Sequence, residues 1–325
     1  MELVLSTFGT MLNRDNEGFV VTQEKTRQRI PADDVSTIQI SRGASITSDA
    51  VMLAIEKEIE VIFISKDGKP QGRIWSPKYG SVSTIRKGQL LFTQSHAAVR
   101  WICDVISRKI TNQQALLLAM IQNETQKQQI DTAILRLQNY AQKVNTLQGD
   151  RVQDIAAILR GWEGSASRIY FDAMNIFLPE HFRIVERTQH PAMDAFNAFL
   201  NYGYGILYSK VEGALIKAGI DPYIGILHRD EYNRPVLVYD VIEIYRIWID
   251  YIVYHLACQN IINSDCYSVR ADNSYWLEGL GMRILIQSVN DYFDELVEIN
   301  GLSRTRQTHI NLYAQDLAQK FKNHK

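Results

Sequence analysis

The sequence predicts an α+β protein in which a small, mainly β N-terminal domain precedes a larger all-α domain. Three observations predict it. Short apolar segments of strand length crowd into the first 75 residues, apolar residues recur every three or four positions from about residue 90 onward, and a stretch with neither period lies between. At 325 residues the chain exceeds a typical single domain, which agrees with two units. The expected boundaries are 1–75 for the β-rich domain, 76–90 for a linker and 91–325 for the helical domain.

In chain order, ELVLST, GFVVTQ, TRQRIP and VSTIQIS read as strands, separated by turn-forming residues at Asn13–Gly18 and Pro31–Asp34. One helix is expected at Ser48–Glu58, then a buried strand, VIFIS, and a turn at Lys66–Pro70. The linker is placed where Pro77, Tyr79, Gly80 and several Ser and Thr interrupt both periods. Beyond it, Ala115, Leu118, Met120 and Ile121, and then Ile134, Leu137 and Tyr140, repeat at helical spacing, and the polar run Gln122–Gln129 reads as a solvated helix face. A helix is expected over Arg151–Leu178. Another should start at Asp194, an N-cap residue, and end at Gly219. A third, over Pro235–Ile262, is apolar on almost every face and is expected to be buried.

Composition excludes several classes of function. Lys plus Arg number 35 against 36 Asp plus Glu, a formal charge of −1, so any surface for an acidic partner has to be a local patch. Cys103, Cys258 and Cys266 cannot all pair and form no CxxC, which argues against a disulfide framework or a structural zinc site and favours a reducing, cytoplasmic setting. Neither a secretion signal nor a membrane span is expected. The chain lacks GxxxxGK[ST], HExxH and GxSxG, and Gly203-Tyr204-Gly205 lies within a helical pattern instead of following a strand.

Polar residues sit oddly in three places. Glu163 lies inside the apolar stripe Leu159, Ala166, Tyr170, where a lone carboxylate is costly unless it is paired, for instance with Arg168, or bound to metal. Gly164, Ser165, Ala166 and Ser167 follow it, small enough for a ligand or another backbone to come close. His228 closes the apolar run IGIL, as a metal ligand, a general base or a hydrogen-bonded structural residue. Asp240 and Glu243 share a face of the third helix with Arg246. An ion pair between Glu243 and Arg246 leaves Asp240 unexplained, and a divalent metal is the simplest further positive charge. Two Glu, one Asp and one His with no thiolate suit Mg²⁺ or Mn²⁺, and such an ion supports phosphoryl transfer.

At these residues the chain resembles the CRISPR-associated adaptation endonuclease family, the Cas-one integrases that insert new spacers into a CRISPR array. Four blocks carry the resemblance: Glu163-Gly164-Ser165-Ala166 with Tyr170-Phe171; Pro191 and Asp194 with Asn197-Ala198-Phe199-Leu200 and Tyr204; Gly219-Ile220-Asp221-Pro222 to Gly225-Ile226-Leu227-His228; and Leu237 to Glu243 with Arg246. They span most of residues 160 to 246. Gln189-His190-Pro191 stands where relatives often show paired prolines, which removes no ligand.

The resemblance implies catalytic residues Glu163, His228, Asp240 and Glu243. It implies a Mg²⁺ or Mn²⁺ site of Glu163, His228 and Glu243, with Asp240 as an auxiliary carboxylate or alternative ligand. It implies a homodimer joined through its β domains, a small ferredoxin-like second adaptation protein as partner, and double-stranded DNA, protospacer and CRISPR repeat, as substrate. The reaction would be transesterification, a DNA 3′-hydroxyl attacking a repeat-border phosphodiester. Arg183, Arg187, Lys210, Lys217, Arg229, Arg234 and Arg246 are candidate phosphate contacts, because a DNA enzyme of near-zero net charge has to concentrate its cations at the duplex. Two readings compete: a structure-specific metal-dependent DNase of repair, and a non-enzymatic DNA-binding scaffold in which the four polar residues form an ion network.

Overall fold

The computed structural model describes all residues but 24–25, 36, 58, 65–69, 75–81, 229–233 and 325, and it divides into two compact units, Met1–Gly80 and Ser81–Lys325. The expected turn at Lys66–Pro70 lies almost wholly outside the described residues, as do Glu58 and Arg229.

The first unit runs β1 (Glu2–Leu5), β2 (Met11–Asp15), β3 (Gly18–Gln23), β4 (Thr26–Pro31), β5 (Thr37–Ser41), β6 (Ser45–Ile46), α1 (Ser48–Glu56), β7 (Glu60–Ile64) and β8 (Pro70–Arg73). Two four-stranded sheets result, ordered β1-β5-β7-β8 and β4-β3-β2-β6, enclosing a core that includes Leu5, Leu12, Phe19, Ile38, Leu53 and Val61. The expected turn at Asn13–Gly18 is shorter than the sequence suggests. Asn13, Arg14 and Asp15 belong to β2, opposite Val20, Phe19 and Gly18, and only Asn16 takes the left-handed backbone, at φ 55°. These residues read as a turn because they are polar; they stay in the strand with Leu12 buried beside them and Arg14 reaching Glu56 at 3.4 Å.

The second unit runs α2 (Val82–Thr93), α3 (His96–Ala119), α4 (Glu124–Thr146), α5 (Val152–Met174), α6 (Ala195–Lys217), α7 (Val236–Ile242), α8 (Arg246–Cys258), β9 (Tyr267–Val269), β10 (Tyr275–Leu277), α9 (Gly279–Asp294), β11 (Leu296–Ile299), β12 (Leu302–Thr305) and α10 (Arg306–Asn323). Two expectations are corrected here. Residues 82–90 of the expected linker are helical: Ile85, Gln89 and Phe92 recur on one face, and α2 packs on α10 with the Phe92 and Phe321 rings 5.1 Å apart. The unit is also not all-α, since β9 pairs with β10 and β11 with β12. The second hairpin turns at Asn300-Gly301, both at positive φ, as a two-residue hairpin loop requires.

α6 begins as its cap predicts, Asp194 Oδ1 accepting the Asn197 N–H at 2.7 Å. The helix expected over Pro235–Ile262 is broken at Glu243–Tyr245 with neither Pro nor Gly present. The break frees backbone carbonyls, and the Asn112 side chain of α3 donates to one of them, Ile244 O, at 3.2 Å. Among the described residues no helix is long and apolar enough to cross a membrane.

Candidate active site

Four segments of the second unit meet at one small cavity of about 60 Å³. Ile102 and Ile106 of α3 and Leu227 form its apolar wall, and Arg160, Glu163, His228, Asp240 and Glu243 supply its polar groups. The sequence-predicted quartet is therefore brought together, although its members lie up to 80 residues apart in the chain.

Asp240 organises the cavity floor. It is wholly buried in α7 and takes the N–H groups of Ile226 and Leu227 on Oδ2, at 2.8 and 3.1 Å, and that of His228 on Oδ1, at 3.2 Å. The same Oδ1 lies 2.7 Å from His228 Nδ1. A carboxylate holding four polar groups fixes both the path of the 226–228 segment and the imidazole orientation. Arg160 of α5 also donates to Leu227 O at 2.7 Å, and the residues leading into the segment are held by the buried Gln89 of α2, which donates to Asp221 O at 2.8 Å and to Ile224 O at 3.2 Å. For His228, burial opposes the charged ring, but the Asp240 hydrogen bond and charge outweigh it and raise the imidazole above its usual value.

Glu163 sits at the edge of its stripe, with 27% of its side chain exposed, and its cation is neither Arg168 nor another residue of α5. It is Lys109 of α3. The Lys109 ammonium contacts Glu163 Oε1 and stands 2.6 Å from Glu243 Oε2, joining the two carboxylates, and Ser167 Oγ donates to Glu163 Oε1 at 3.1 Å. Arg246 Nε donates to Glu243 Oε1 at 2.9 Å. Burial alone would raise the Glu243 carboxyl, but Arg246 and Lys109 hold it at about 2. Burial also works against the Lys109 ammonium, and the two glutamates more than restore it.

Behind this layer a second polar cluster is buried. Asp250 accepts the hydroxyls of Tyr170, at 3.0 Å, and Tyr204, while Arg246 and Arg187 lie over the Tyr204 ring at 4.7 and 5.3 Å. Burial raises the Asp250 carboxyl, against the pull of the tyrosine hydrogen bonds and the arginines.

The candidate phosphate contacts are placed differently. Arg246 and Arg187 point inward, Arg187 donating to Asn197 Oδ1 at 2.7 Å and Asn201 Oδ1 at 2.5 Å, and Lys210 lies over the Phe293 ring at 5.2 Å. Arg183, Lys217 and Arg234 are exposed. Sequence reasoning missed Lys109 and Arg160. Lys109 had a signal: it interrupts Ile102, Ile106 and Gln113, spaced by three or four along one buried face of α3.

The donor set suits a hard divalent ion, with two carboxylates, one imidazole and no thiolate around one cavity. Glu243 adds to this, its buried Oε2 facing the Lys109 ammonium while Arg246 takes Oε1. Yet among the described residues no three acidic, His or Cys side chains surround a common point as an ion needs. Lys109 lies between the glutamates, and His228 turns Nδ1 to Asp240.

The sequence profile of the CRISPR-associated protein Cas1 family matches residues 3–291. The chain belongs to the Cas1 family. A CRISPR-associated endonuclease Cas1 of Archaeoglobus fulgidus is 29% identical over 98% of this chain and 95% of its own length. Among solved structures, the Thermotoga maritima CAS1 protein superposes over 100% of this chain and 98% of its own, with a TM-score of 0.77 and 18% identity. A Cas6-RT-Cas1–Cas2 complex matches with a TM-score of 0.76 and 24% identity over 99% of this chain, which spans 35% of that longer polypeptide. A casposase bound to its integration product matches with a TM-score of 0.69 and 19% identity, over 100% of this chain and 96% of its own. These neighbours share the Cas1 fold, β-rich unit followed by helical unit.

Proposed function

We propose that this Cas1-family chain is a Mg²⁺- or Mn²⁺-dependent DNA endonuclease and integrase of CRISPR adaptation. It would join the 3′-hydroxyls of short protospacer DNA to the CRISPR repeat by transesterification. The observation that carries the reading is the convergence of Glu163, His228 and Glu243 on one cavity from three separated segments, with Asp240 buried beneath them. Relatives named as endonucleases, and a fold neighbour holding an integration product, support it.

Glu163, His228 and Glu243 would hold the ion. Asp240 would not compete for it, since both its oxygens are committed to the 226–228 segment. When bound, the ion polarises the phosphodiester and stabilises the leaving oxygen. The chain's own part is to orient and to move a proton. With Nδ1 committed to Asp240, His228 would ligate the ion or take the attacking hydroxyl's proton through Nε2. Arg160, which lines the cavity, would contact the phosphate, and the exposed Arg183, Lys217 and Arg234, with Arg229, would contact the duplex backbone.

The β-rich unit would make the homodimer contact, and a small ferredoxin-like second adaptation protein would complete the complex, as the Cas1–Cas2 content of a fold neighbour suggests. A cytoplasmic location fits this chemistry and three free thiols. The test combines the chain, its small partner, Mn²⁺, a labelled short duplex and a supercoiled plasmid carrying repeat sequence. Label joined to plasmid by the native chain, and absent with His228→Ala, is expected. Cut DNA with no joined label would replace integration by simple hydrolysis.

A further inference from the structure

Lys109, whose ammonium contacts both cavity glutamates, has no part in the proposed chemistry. Its ammonium is buried at 8% residue exposure, on the α3 face that also carries Ile102 and Ile106, and it joins the same two carboxylates that would hold the metal. A solvated surface lysine gains little from such a pair, whereas a buried one is held there by the two carboxylates that it bridges. Lys109 is the cation facing Glu243 Oε2, the oxygen that Arg246 leaves to it. Two cations cannot share one position between two carboxylates.

We infer that Lys109 is an internal stand-in for the divalent ion, holding Glu163 and Glu243 together before the metal arrives and giving up its place to it. The inference rests on the metal reading above. Lys109 is a positioning residue in this scheme: it keeps the two carboxylates from repelling each other apart, so the site is preassembled at the cost of weaker metal affinity. The exchange also changes the charge of the pocket. With the His228 ring neutral, as a metal ligand has to be, Lys109, Arg160 and Arg246 balance Glu163, Asp240 and Glu243, so the cluster gains two positive charges when the ion enters and the displaced ammonium stays near. Metal loading thus turns a neutral pocket into one that attracts a phosphodiester.

The experiment measures Mn²⁺ affinity by calorimetry, and melting with and without Mn²⁺, for the native chain, Lys109→Met and Lys109→Arg. Methionine keeps the apolar stem and deletes the competing charge. The expected result is a Mn²⁺ dissociation constant lower by on the order of tenfold or more in Lys109→Met. That variant should also melt lower than the native chain without metal and recover with it, while Lys109→Arg binds no tighter than the native chain. Equal or weaker Mn²⁺ binding by Lys109→Met, with the native chain binding normally, overturns the stand-in role and leaves the metal site intact. Absence of Mn²⁺ binding by both overturns the two proposals together. A second measurement needs no variant. Amine acylation of the native chain, read by peptide mass spectrometry, should label Lys109 faster with Mn²⁺ than without, and an unchanged rate overturns the displacement.

Discussion

Asp240 and Glu243 stand three residues apart and do opposite jobs. Asp240 is saturated by three backbone N–H groups and an imidazole, so the amide of Asp240→Asn would turn a donor toward donors. We expect a loss on the order of 3 kcal/mol in denaturant unfolding, with strand joining impaired because His228 loses its anchor. Glu243→Gln keeps the shape and deletes the charge, and joining should fall to background while the chain stays folded. Survival of joining in Glu243→Gln would move the third ligand elsewhere. The pH dependence follows from the same residue. Its folded value, about 2, lies below the ordinary 4.5, so the metal-free protein holds this contribution above pH 4.5 and loses it as pH falls toward 2. The amount is on the order of 3 kcal/mol, and acid melting of Glu243→Gln should lack that part of the decline.

The element that sets the site is the turn carrying His228, and its shape depends on Gly225. A Cβ there would stand 2.3 Å from His228 O and 2.8 Å from Val236 Cγ2, so the turn cannot close around a side chain. Gly225→Ala is expected to abolish Mn²⁺ binding and strand joining while helical circular dichroism persists. Native Mn²⁺ affinity in that variant would show that the turn does not position the imidazole. Much of this element was legible. The IGIL run ending in His228, the Asp194 cap and the interrupted stripe at Glu163 all follow from periodicity and capping rules. The break after α7 was not, because the Asn112 group that satisfies the freed carbonyl lies 132 residues away. Nor was the pairing of Glu163, since the partner it needed is on α3 and not on its own helix. The Asn300-Gly301 hairpin did carry a sequence signal, the Asn-Gly pair itself, and it was hidden by the helical period on either side.

At the scale of the whole molecule the division of labour is thermodynamic. Each unit has its own buried cluster, one around Leu12, Phe19 and Ile38 and the other around Tyr170, Phe196 and Phe199, so each has the core a cooperative transition needs. Every candidate ligand, with Lys109, Arg160 and Arg246, belongs to the second unit. A ligand stabilises only what it binds in folded form, so metal should act on one transition and not the other. At Mn²⁺ about one hundred times its dissociation constant the stabilisation is about 2.7 kcal/mol, which for a unit of this size corresponds to a shift of roughly 5–10 °C. Scanning calorimetry should therefore resolve a helical-unit transition that rises with Mn²⁺ and a β-unit transition that does not. Glu163→Gln should abolish the rise without moving the β-unit transition. A Mn²⁺ shift carried by the β-unit transition would place the ion outside the cavity of Glu163, His228 and Glu243.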